Sequence, residues 1–476
     1  MMSRTRAAGR PCGVFSHARA RQSREALGHG GPAAGPLDGD LTGPPSPSTL
    51  AGMKAYILQG QSRISPFGDP VGESMIGNRT LAAHQTMVLR RLGFEVERIA
   101  SPSEISEREF VLCHEDVFFT RRAIQDLAAR FRAERRSLRL GLPEGSLLVR
   151  STRALQDLEA GRDGDTALAL YRLFFLACPE PPRSVESLAR AQAEAQAACG
   201  RFREIAVEVP NPRHIMGSSA YRHPLTSSVA MHIRHWVHIL WANQLSVQIQ
   251  WVEDILDHKG WTGLRLLRAG LAGLFSGRWS RGGFRQAAMG SFNRIGKGCD
   301  IHPTAHLELA RVGDNVRIGA FALVRGSIIG ANTVIEDRVN LQYSVIGEGC
   351  HMSRNASMTL CAGYPGGNLS IRGVQASLFG RDCAMTSGGM VIDARFHGEI
   401  QVMTPEGPRS AGTNFLGACF GHKSYLGLDA VVNAGREVPN GAVLVHDPKS
   451  IFSKIPADLP PGVPAWAKNG AATTSD

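Results

Sequence analysis

The stretch that decides the fold begins at Ile295 and divides into units of six residues. The clearest units are Ile295-Gly-Lys-Gly-Cys-Asp, Ile301-His-Pro-Thr-Ala-His, Val312-Gly-Asp-Asn-Val-Arg, Ile318-Gly-Ala-Phe-Ala-Leu, Ile329-Gly-Ala-Asn-Thr-Val, Ile335-Glu-Asp-Arg-Val-Asn and Ile346-Gly-Glu-Gly-Cys-His. Each unit opens on an aliphatic residue, most continue with Gly, and the fifth position holds a small residue. Self-similarity at a fixed period indicates a solenoid, in which stacked units bury a continuous apolar core.

The six-residue period predicts a narrow prism. The aliphatic first residue of each unit would point inward, and Gly at the second position would relieve a tight turn. Three units would close one coil of about 18 residues with three short parallel strands. This pattern resembles the hexapeptide-repeat, left-handed parallel β-helix family, and the resemblance implies such a helix over residues 293–450.

Two segments break the period. We expect residues 359–377 and 394–412 to be loops ejected from a coil corner, where such folds often carry specificity. The period returns with Phe420-Gly-His-Lys-Ser-Tyr. Residues 451–476 form a proline-rich C-terminal tail, and we expect residues 466–476 to be frayed.

The amino-acid composition limits the class of protein. The chain has 476 residues, of which 43% are hydrophobic and 20% charged. This balance excludes a wholly disordered, fibrous or disulfide-scaffold protein. Glycine is in excess, with 53 residues against a usual share of ~7%. The nine cysteines have no CxxC spacing, which indicates free thiols and a cytoplasmic location.

The formal net charge of +11 is concentrated in two places. Residues 1–52 are Arg-rich and lack Lys, and we expect them to be a disordered leader: either an organellar transit peptide or an over-long gene model with its start at Met53. Residues 259–285 hold Lys259 and five arginines but no acid, which permits peripheral contact with an anionic membrane. Aromatic residues are sparse and no nucleic-acid motif is present, so no nucleic-acid partner is predicted.

The middle of the chain is predicted to be helical. Helical spacing of apolar residues marks 119–138, 184–203 and a long stretch from Thr226 to Leu256, capped by Thr226 or Ser227. The long helix would carry His232, His235 and His238. We interpret these as packed or partly exposed histidines, because no acid at matching spacing completes a metal site. Residues 226–292 then form a helical connector.

Residues 53–225 are predicted to form an α/β domain. A strand at Lys54–Leu58, a helix at Leu81–Leu92 and a strand at Phe94–Ile99 give a β–loop–α–β opening, which suggests a parallel sheet. Arg63-Ile64-Ser65-Pro66, Ile76-Gly77-Asn78-Arg79-Thr80-Leu81 and the strand Phe110–Asp116 resemble motifs of sugar-1-phosphate nucleotidyltransferases. The resemblance implies that Gly60 and Arg63 contact a nucleotide and that Asp116 ligates Mg²⁺.

Departures from that family predict that nucleotidyl transfer is lost. The phosphate-binding loop is two residues short and keeps only Gly60. The family's catalytic lysine falls at Val71, which cannot neutralise charge on a phosphate. Phosphoryl transfer depends on positioning and charge stabilisation, and both are weakened here. The domain is therefore interpreted as a degenerate nucleotide-diphospho-sugar transferase.

The sharpest local motif is Gly421-His-Lys-Ser-Tyr-Leu-Gly427. It resembles a run in the acetyltransferase half of the bifunctional N-acetylglucosamine-1-phosphate uridylyltransferase. The resemblance implies His422 as general base, Tyr425 as a sugar-phosphate contact and acyl-CoA as donor, with a homotrimer completing the cleft. A base of near-neutral pKa suits acyl transfer from a thioester. Asn433 would contact the acyl donor or the sugar. Leu428 displaces the family's aspartate to Asp429.

Two functions follow from these patterns. The first is acyl transfer to a sugar or sugar phosphate by the β-helix. The alternative is a non-catalytic protein, whose degenerate N-terminal domain binds a nucleotide sugar while the β-helix oligomerises. Regulatory subunits of sugar-nucleotide pyrophosphorylases combine the two domains in this way.

Overall fold

The computed structural model describes residues 52–210, 220–257, 262–264, 267 and 287–474. In the N-terminal half the strands are β1 Lys54–Leu58, β2 Arg63–Ile64, β3 Asp69–Pro70, β4 Met75–Ile76, β5 Arg79–Thr80, β6 Glu95–Ile99, β7 Glu109–His114, β8 Val117–Phe119, β9 Leu138–Pro143, β10 Glu159–Asp163, β11 Thr166–Ala177, β12 Gln196–Ala198, β13 Ile205–Pro210, β14 Ala220–Leu225 and β15 Ala230–His232. The helices are α1 Leu81–Arg91, α2 Arg121–Glu134, α3 Leu147–Thr152, α4 Val185–Ala193 and α5 Trp236–Asp257. None of the helices in these ranges is long and apolar enough to cross a bilayer.

The N-terminal domain is built on a mixed sheet with the strand order β12–β9–β11–β7–β1–β6. β1 runs parallel to β6 and to β7, which confirms the β–loop–α–β opening. β11 is antiparallel to its neighbours β7 and β9, so the sheet is not the parallel one that the opening suggested. The reason is local: β10 and β11 form a hairpin that turns at Gly164, and a hairpin reverses the chain without a helical crossover.

Two of the predicted helices are shorter than their patterns suggested. The predicted helix at 184–203 ends at Ala193, and the chain continues as strand β12 beside β9. The long helix begins at Trp236, not at Thr226, because residues 230–232 form β15 and pair antiparallel with β8. All three residues of β15 are buried. An apolar run that is buried on every side gives no period by which helix and strand can be told apart.

The C-terminal half consists of very short strands. They are β16 Arg294–Ile295, β17 Asp300–Ile301, β18 His306–Glu308, β19 Arg311–Val312, β20 Arg317–Ile318, β21 Leu323–Arg325, β22 Ile328–Ile329, β23 Val334–Ile335, β24 Asn340–Gln342, β25 Val345–Ile346, β26 His351–Met352, β27 Ser357–Thr359, β28 Ala362–Gly363, β29 Asn368–Leu369, β30 Val374–Gln375, β31 Leu378–Phe379, β32 Ala384–Met385, β33 Met390–Val391, β34 Gln401–Thr404, β35 Gly407–Ser410, β36 Cys419–Phe420, β37 Tyr425–Leu426, β38 Val431–Val432, β39 Glu437–Val438, β40 Val443–Leu444, β41 Trp466–Lys468 and β42 Ala471–Thr473.

These strands stack into three parallel sheets, which confirms a parallel β-helix. One sheet runs β16–β19–β22–β25–β28–β31–β36–β39, the second β17–β20–β23–β26–β29–β32–β37–β40 and the third β18–β21–β24–β27–β30. Over the first coils, residues 17 positions apart lie side by side, as in Arg311 beside Ile328. Each of these coils therefore has 17 residues, one fewer than the expected 18, because one of its three units has five residues where the others have six. The aliphatic residues fill the interior, and Ile335 and Ile346 are fully buried.

The regular occurrence of glycine at the second position of the repeat has a different cause from the predicted one. Gly330, at the second position of its unit, does not have positive φ; a Cβ there would lie 2.4 Å from the backbone nitrogen of Glu348 in the next coil. The left-handed residue comes two positions later, at Asn332, with φ of 57°. Glycine is therefore needed for close approach between coils, and the turn itself is made by the fourth residue.

The two breaks in the period have different outcomes. Residues 359–377 are not ejected: β28, β29 and β30 remain in the stack, because Leu369 and Val374 still fill its interior. Residues 394–412 do leave the coil, as predicted, and form the antiparallel hairpin β34–β35. The C-terminal segment also differs from expectation, since β41 and β42 pair as a hairpin where fraying was predicted.

The interior of the β-helix provides a direct test of the stacking. Phe420 is fully buried and stacks on Phe379 of the preceding coil, with ring centroids 5.2 Å apart. We expect Phe420→Ala to lower the free energy of unfolding by about 3–5 kcal/mol, through lost burial and a residual cavity. Urea unfolding followed by circular dichroism measures the change. The control is Phe396→Ala, at a ring that is 67% exposed, and a similar loss in the control would contradict the assignment.

Candidate functional site at the domain junction

The N-terminal domain docks on the β-helix through residues 63–80. The backbone N–H of Met75 donates to the hydroxyl of Tyr364 at 3.0 Å. The side-chain amide of Asn78 donates to the carbonyl of Ile346 at 2.8 Å. These contacts fix a loop of one domain against the corners of the coils in the other.

His422 lies in the middle of this contact. Its ring stacks on Phe67 at a centroid distance of 4.9 Å, and its Nε2 is 3.0 Å from Oδ2 of Asp69. Arg381 Nη1 donates to the same oxygen at 2.7 Å. The side chain of His422 is 14% exposed and that of Asp69 is 22% exposed. The predicted base is thus paired with a carboxylate from the other domain.

The hydrogen bonds define the tautomer of His422. The backbone N–H of Arg381 donates to Nδ1 at 2.8 Å, and a backbone N–H can only donate, so Nδ1 carries no proton. The neutral ring therefore carries its proton on Nε2 and donates it to Asp69. Burial lowers the pKa of His422, and the hydrogen bond to Asp69 opposes that shift. In this arrangement both ring nitrogens have partners.

Sequence reasoning missed Asp69 and Arg381. Arg381 occupies the third position of its unit, as His422 does, because Phe379 and Phe420 are partners in register. Asn440 holds the same position in the following coil, and its Oδ1 accepts the N–H of His422 at 2.7 Å. The repeat register was the signal that could have found Arg381 and Asn440. No pattern pointed to Asp69, which lies in β3 of the other domain.

Tyr425 and Asn433, the other predicted β-helix residues, do not join this cluster. Tyr425 lies on β37, half-buried, beside Ala384 and Val443 of the adjacent coils. Asn433 uses its side-chain oxygen locally, accepting the N–H of Ala434 at 2.8 Å. Their contacts with a sugar or an acyl donor remain predictions.

The predicted nucleotide site is filled by the protein's own groups. The N–H of Gly60 donates to Oε1 of Glu115 at 2.7 Å, so a resident carboxylate holds the position predicted for a phosphate. Arg63 bonds inside its own hairpin, donating to the carbonyl of Gly68 at 2.6 Å. Val71, where the sequence resemblance would place a lysine, is fully buried in the domain core. These contacts disfavour phosphate binding at Gly60.

Asp116 is surrounded by cations. Its carboxylate bonds to the guanidinium of Arg172, and Nε of Arg234 lies 3.7 Å away. Mg²⁺ takes oxygen ligands and keeps several waters, whereas Asp116 is buried and faces two positive groups. The residues present do not fit a magnesium ion. Across the described ranges no group of three or more His, Cys, Asp or Glu side chains is placed to hold a metal.

The three histidines of the middle segment are packed, as interpreted, and each has its own partner. His232 lies in β15, not on the helix, and its Nε2 accepts the N–H of Arg172 at 3.1 Å. His235 Nε2 is 3.0 Å from the carbonyl of Met403. His238 Nε2 lies 2.8 Å from the carbonyl of Ala154.

Comparisons with known proteins do not assign the chain to a family. No protein-family model and no curated protein matches the chain. Among solved structures, PerB from Caulobacter crescentus in complex with CoA and GDP-perosamine is 17% identical, over 32% of this chain and 52% of PerB, with a TM-score of 0.13. The polysialic acid O-acetyltransferase OatWY is 16% identical, over 38% of this chain and 89% of its own, with a TM-score of 0.14. The chain spans about half the length of PerB, and the fold assignment rests on the strand pairing above.

Buried histidines make stability depend on pH. Burial lowers the pKa of His84 and His232 to about 4 and that of His238 to about 3. The unfolded chain has the ordinary pKa near 6.5 and binds more protons, so the stabilisation is complete above that pH and is lost as the pH falls toward 4. We expect His238→Gln to remove up to about 2 kcal/mol of the loss between about pH 6.5 and 5. Urea unfolding across this range measures it.

The control for this measurement is His397→Gln, because His397 is exposed on the inserted segment. It should retain the pH slope of the unaltered protein. An unchanged slope in His238→Gln would contradict the buried neutral state assigned to His238.

Proposed function

We propose that the protein transfers an acyl group from acyl-CoA to a sugar or sugar phosphate, with His422 as the general base and Asp69 as its orienting carboxylate. The observation that supports this is the partly buried 3.0 Å contact between the two side chains at the domain junction. A carboxylate bonded to one imidazole nitrogen holds the ring in place and stabilises the imidazolium that forms when the other nitrogen accepts a proton.

The proposed reaction is a direct acyl transfer in which His422 accepts one proton. An amine or hydroxyl of the acceptor attacks the thioester carbonyl, its proton passes to His422, and the CoA thiolate leaves and is reprotonated. Nδ1 is the nitrogen that would accept the proton, since Nε2 donates to Asp69. Because Nδ1 accepts the N–H of Arg381 in the described conformation, the ring must move away from that N–H before transfer. A left-handed coil and a homotrimer, in which a neighbouring subunit completes the cleft, belong to the same proposal.

The N-terminal domain would serve recognition in this proposal. Its hairpin β2–β3 supplies Asp69 and Phe67 to the environment of His422. An acceptor held by this domain would therefore lie near the base. Nucleotidyl transfer is not part of the proposal. A buried valine, Val71, stands where the resemblance would place the catalytic lysine, and the carboxylate of Glu115 occupies the N–H of Gly60 in the predicted phosphate-binding loop.

A second candidate is a non-catalytic nucleotide-sugar-binding or oligomerising protein. The observation favouring it is that both nitrogens of His422 are already bonded and that the ring is enclosed by Phe67 and Tyr364. In that case, His422 joins the two domains and has no part in chemistry. The β-helix then acts as a scaffold.

Acyl transfer is tested with acetyl-CoA and a panel of amino sugars, sugar phosphates and nucleotide sugars, by release of the CoA thiol. We expect His422→Ala to lower the rate by at least about a hundredfold, the usual contribution of a general base. Asp69→Asn should lower it less, since an amide oxygen still accepts from Nε2 but carries no charge.

The matched control is His351→Ala. His351 is a β-helix histidine with its own carboxylate, Glu336, at 3.1 Å, and it lies outside the domain junction. It should keep full activity. If no acceptor releases thiol while a nucleotide sugar raises the Tm of the unaltered protein, acyl transfer is refuted and the non-catalytic function is supported.

A further inference from the structure

A cleft lined by three arginines and no acidic residue lies on the outer surface of α1, beside β6, which is the edge strand of the sheet. Its volume is about 680 Å³, within the usual range of about 300–1,000 Å³ for small-molecule sites. The lining residues are Ala82, Ala83, Thr86, Met87, Arg90, Arg91 and Arg98. This cleft is separate from the His422 cluster, and neither the sequence motifs nor the proposed acyl transfer accounts for it.

The charged groups that line the cleft are all positive. Three guanidinium groups line it, and none of its lining residues is acidic. Arg98 has one distant partner, Oε2 of Glu115 at 3.7 Å. Arg90 and Arg91 are exposed and form no salt bridge within the described part of the chain. Guanidinium groups bind phosphate through paired, charge-assisted hydrogen bonds. The cleft therefore suits a ligand that offers several phosphate oxygens to the three arginines.

Apart from Thr86, whose hydroxyl donates to the carbonyl of Ala82, the rest of the lining is apolar. Ala82, Ala83 and Met87 present methyl and thioether groups along the same helix that carries Arg90 and Arg91. Flat aromatic groups pack well on such surfaces, and methionine adapts to their shape. The cleft therefore combines an anion-binding end with an apolar wall.

We propose that this cleft binds a nucleoside diphosphate group, with the diphosphate on Arg90, Arg91 and Arg98 and the base against Met87 and the two alanines. The site differs from the predicted nucleotide loop, where Glu115 occupies the N–H of Gly60. Two ligands carry this chemistry: a nucleotide sugar, and the 3′-phospho-ADP portion of CoA. The proposal is independent of whether His422 is catalytic.

The test is isothermal titration calorimetry on the full chain, with UDP, GDP, 3′-phosphoadenosine 5′-diphosphate and pyrophosphate as probes and uridine and adenosine as uncharged counterparts. We expect at least one nucleotide to bind, the nucleosides not to bind, and pyrophosphate to bind more weakly than that nucleotide. Binding should weaken with added salt, because exposed charges are screened. Tighter binding of UDP or GDP identifies a nucleotide sugar as the source, and tighter binding of 3′-phosphoadenosine 5′-diphosphate identifies CoA.

The variant Arg90→Gln/Arg91→Gln should raise the Kd of the bound nucleotide by at least about tenfold, since each lost charged contact is worth about that factor. The matched control is Arg183→Gln, an exposed arginine of the same domain outside the cleft. Thermal unfolding of each variant verifies that it is folded. The proposal is overturned if no nucleotide binds, if pyrophosphate binds as tightly as the nucleotides, or if the double variant and the control have the same Kd.

Discussion

The close stacking of the coils is the constraint on which the rest of this structure depends. Adjacent coils approach so tightly that a Cβ at Gly330 would lie 2.4 Å from the backbone of the next coil. Stacking at this distance aligns equivalent positions of successive units in columns. Arg381, His422 and Asn440 are far apart in sequence but share one column, and the N-terminal domain docks against it. A chain without this spacing would have no site at the junction.

The junction joins the two halves of the protein through polar contacts that neither half could satisfy alone. Asp69 would be an uncompensated, partly buried carboxylate without Arg381 and His422, and burial of a lone charge is costly. Helix α5 reinforces the contact, since Asn243 donates to the carbonyl of Met75 and Gln244 donates to the carbonyl of Leu360. Within the predicted connector, helix α5 therefore packs against both domains, and His238 takes part in that packing through its contact with the carbonyl of Ala154.

Three of the predicted site residues have protein groups as partners. Glu115 accepts the N–H of Gly60, Arg172 pairs with Asp116, and Asp69 accepts from His422. For Gly60 and Asp116, the side-chain partner carries a charge of the same sign as the predicted phosphate or Mg²⁺. Val71, where the sequence resemblance would place a lysine, is buried in the domain core. For His422 the partner is a carboxylate, which is also the group that orients a catalytic imidazole.

The sequence by itself determined the β-helix, because a six-residue period of aliphatic and small residues has few other ways to bury its apolar face. It also determined the β–loop–α–β opening of the N-terminal domain, and it singled out the His422 motif, whose catalytic role stays a prediction. It could not determine the strand β15 within an apolar run, the retention of residues 359–377 in the stack, or the antiparallel β11. Only the tertiary structure decided that Asp69 meets His422 and Glu115 meets Gly60, because such pairs depend on how two separately folded units dock. A local pattern records which faces are apolar, but it carries no information on which polar groups from distant segments will be desolvated together.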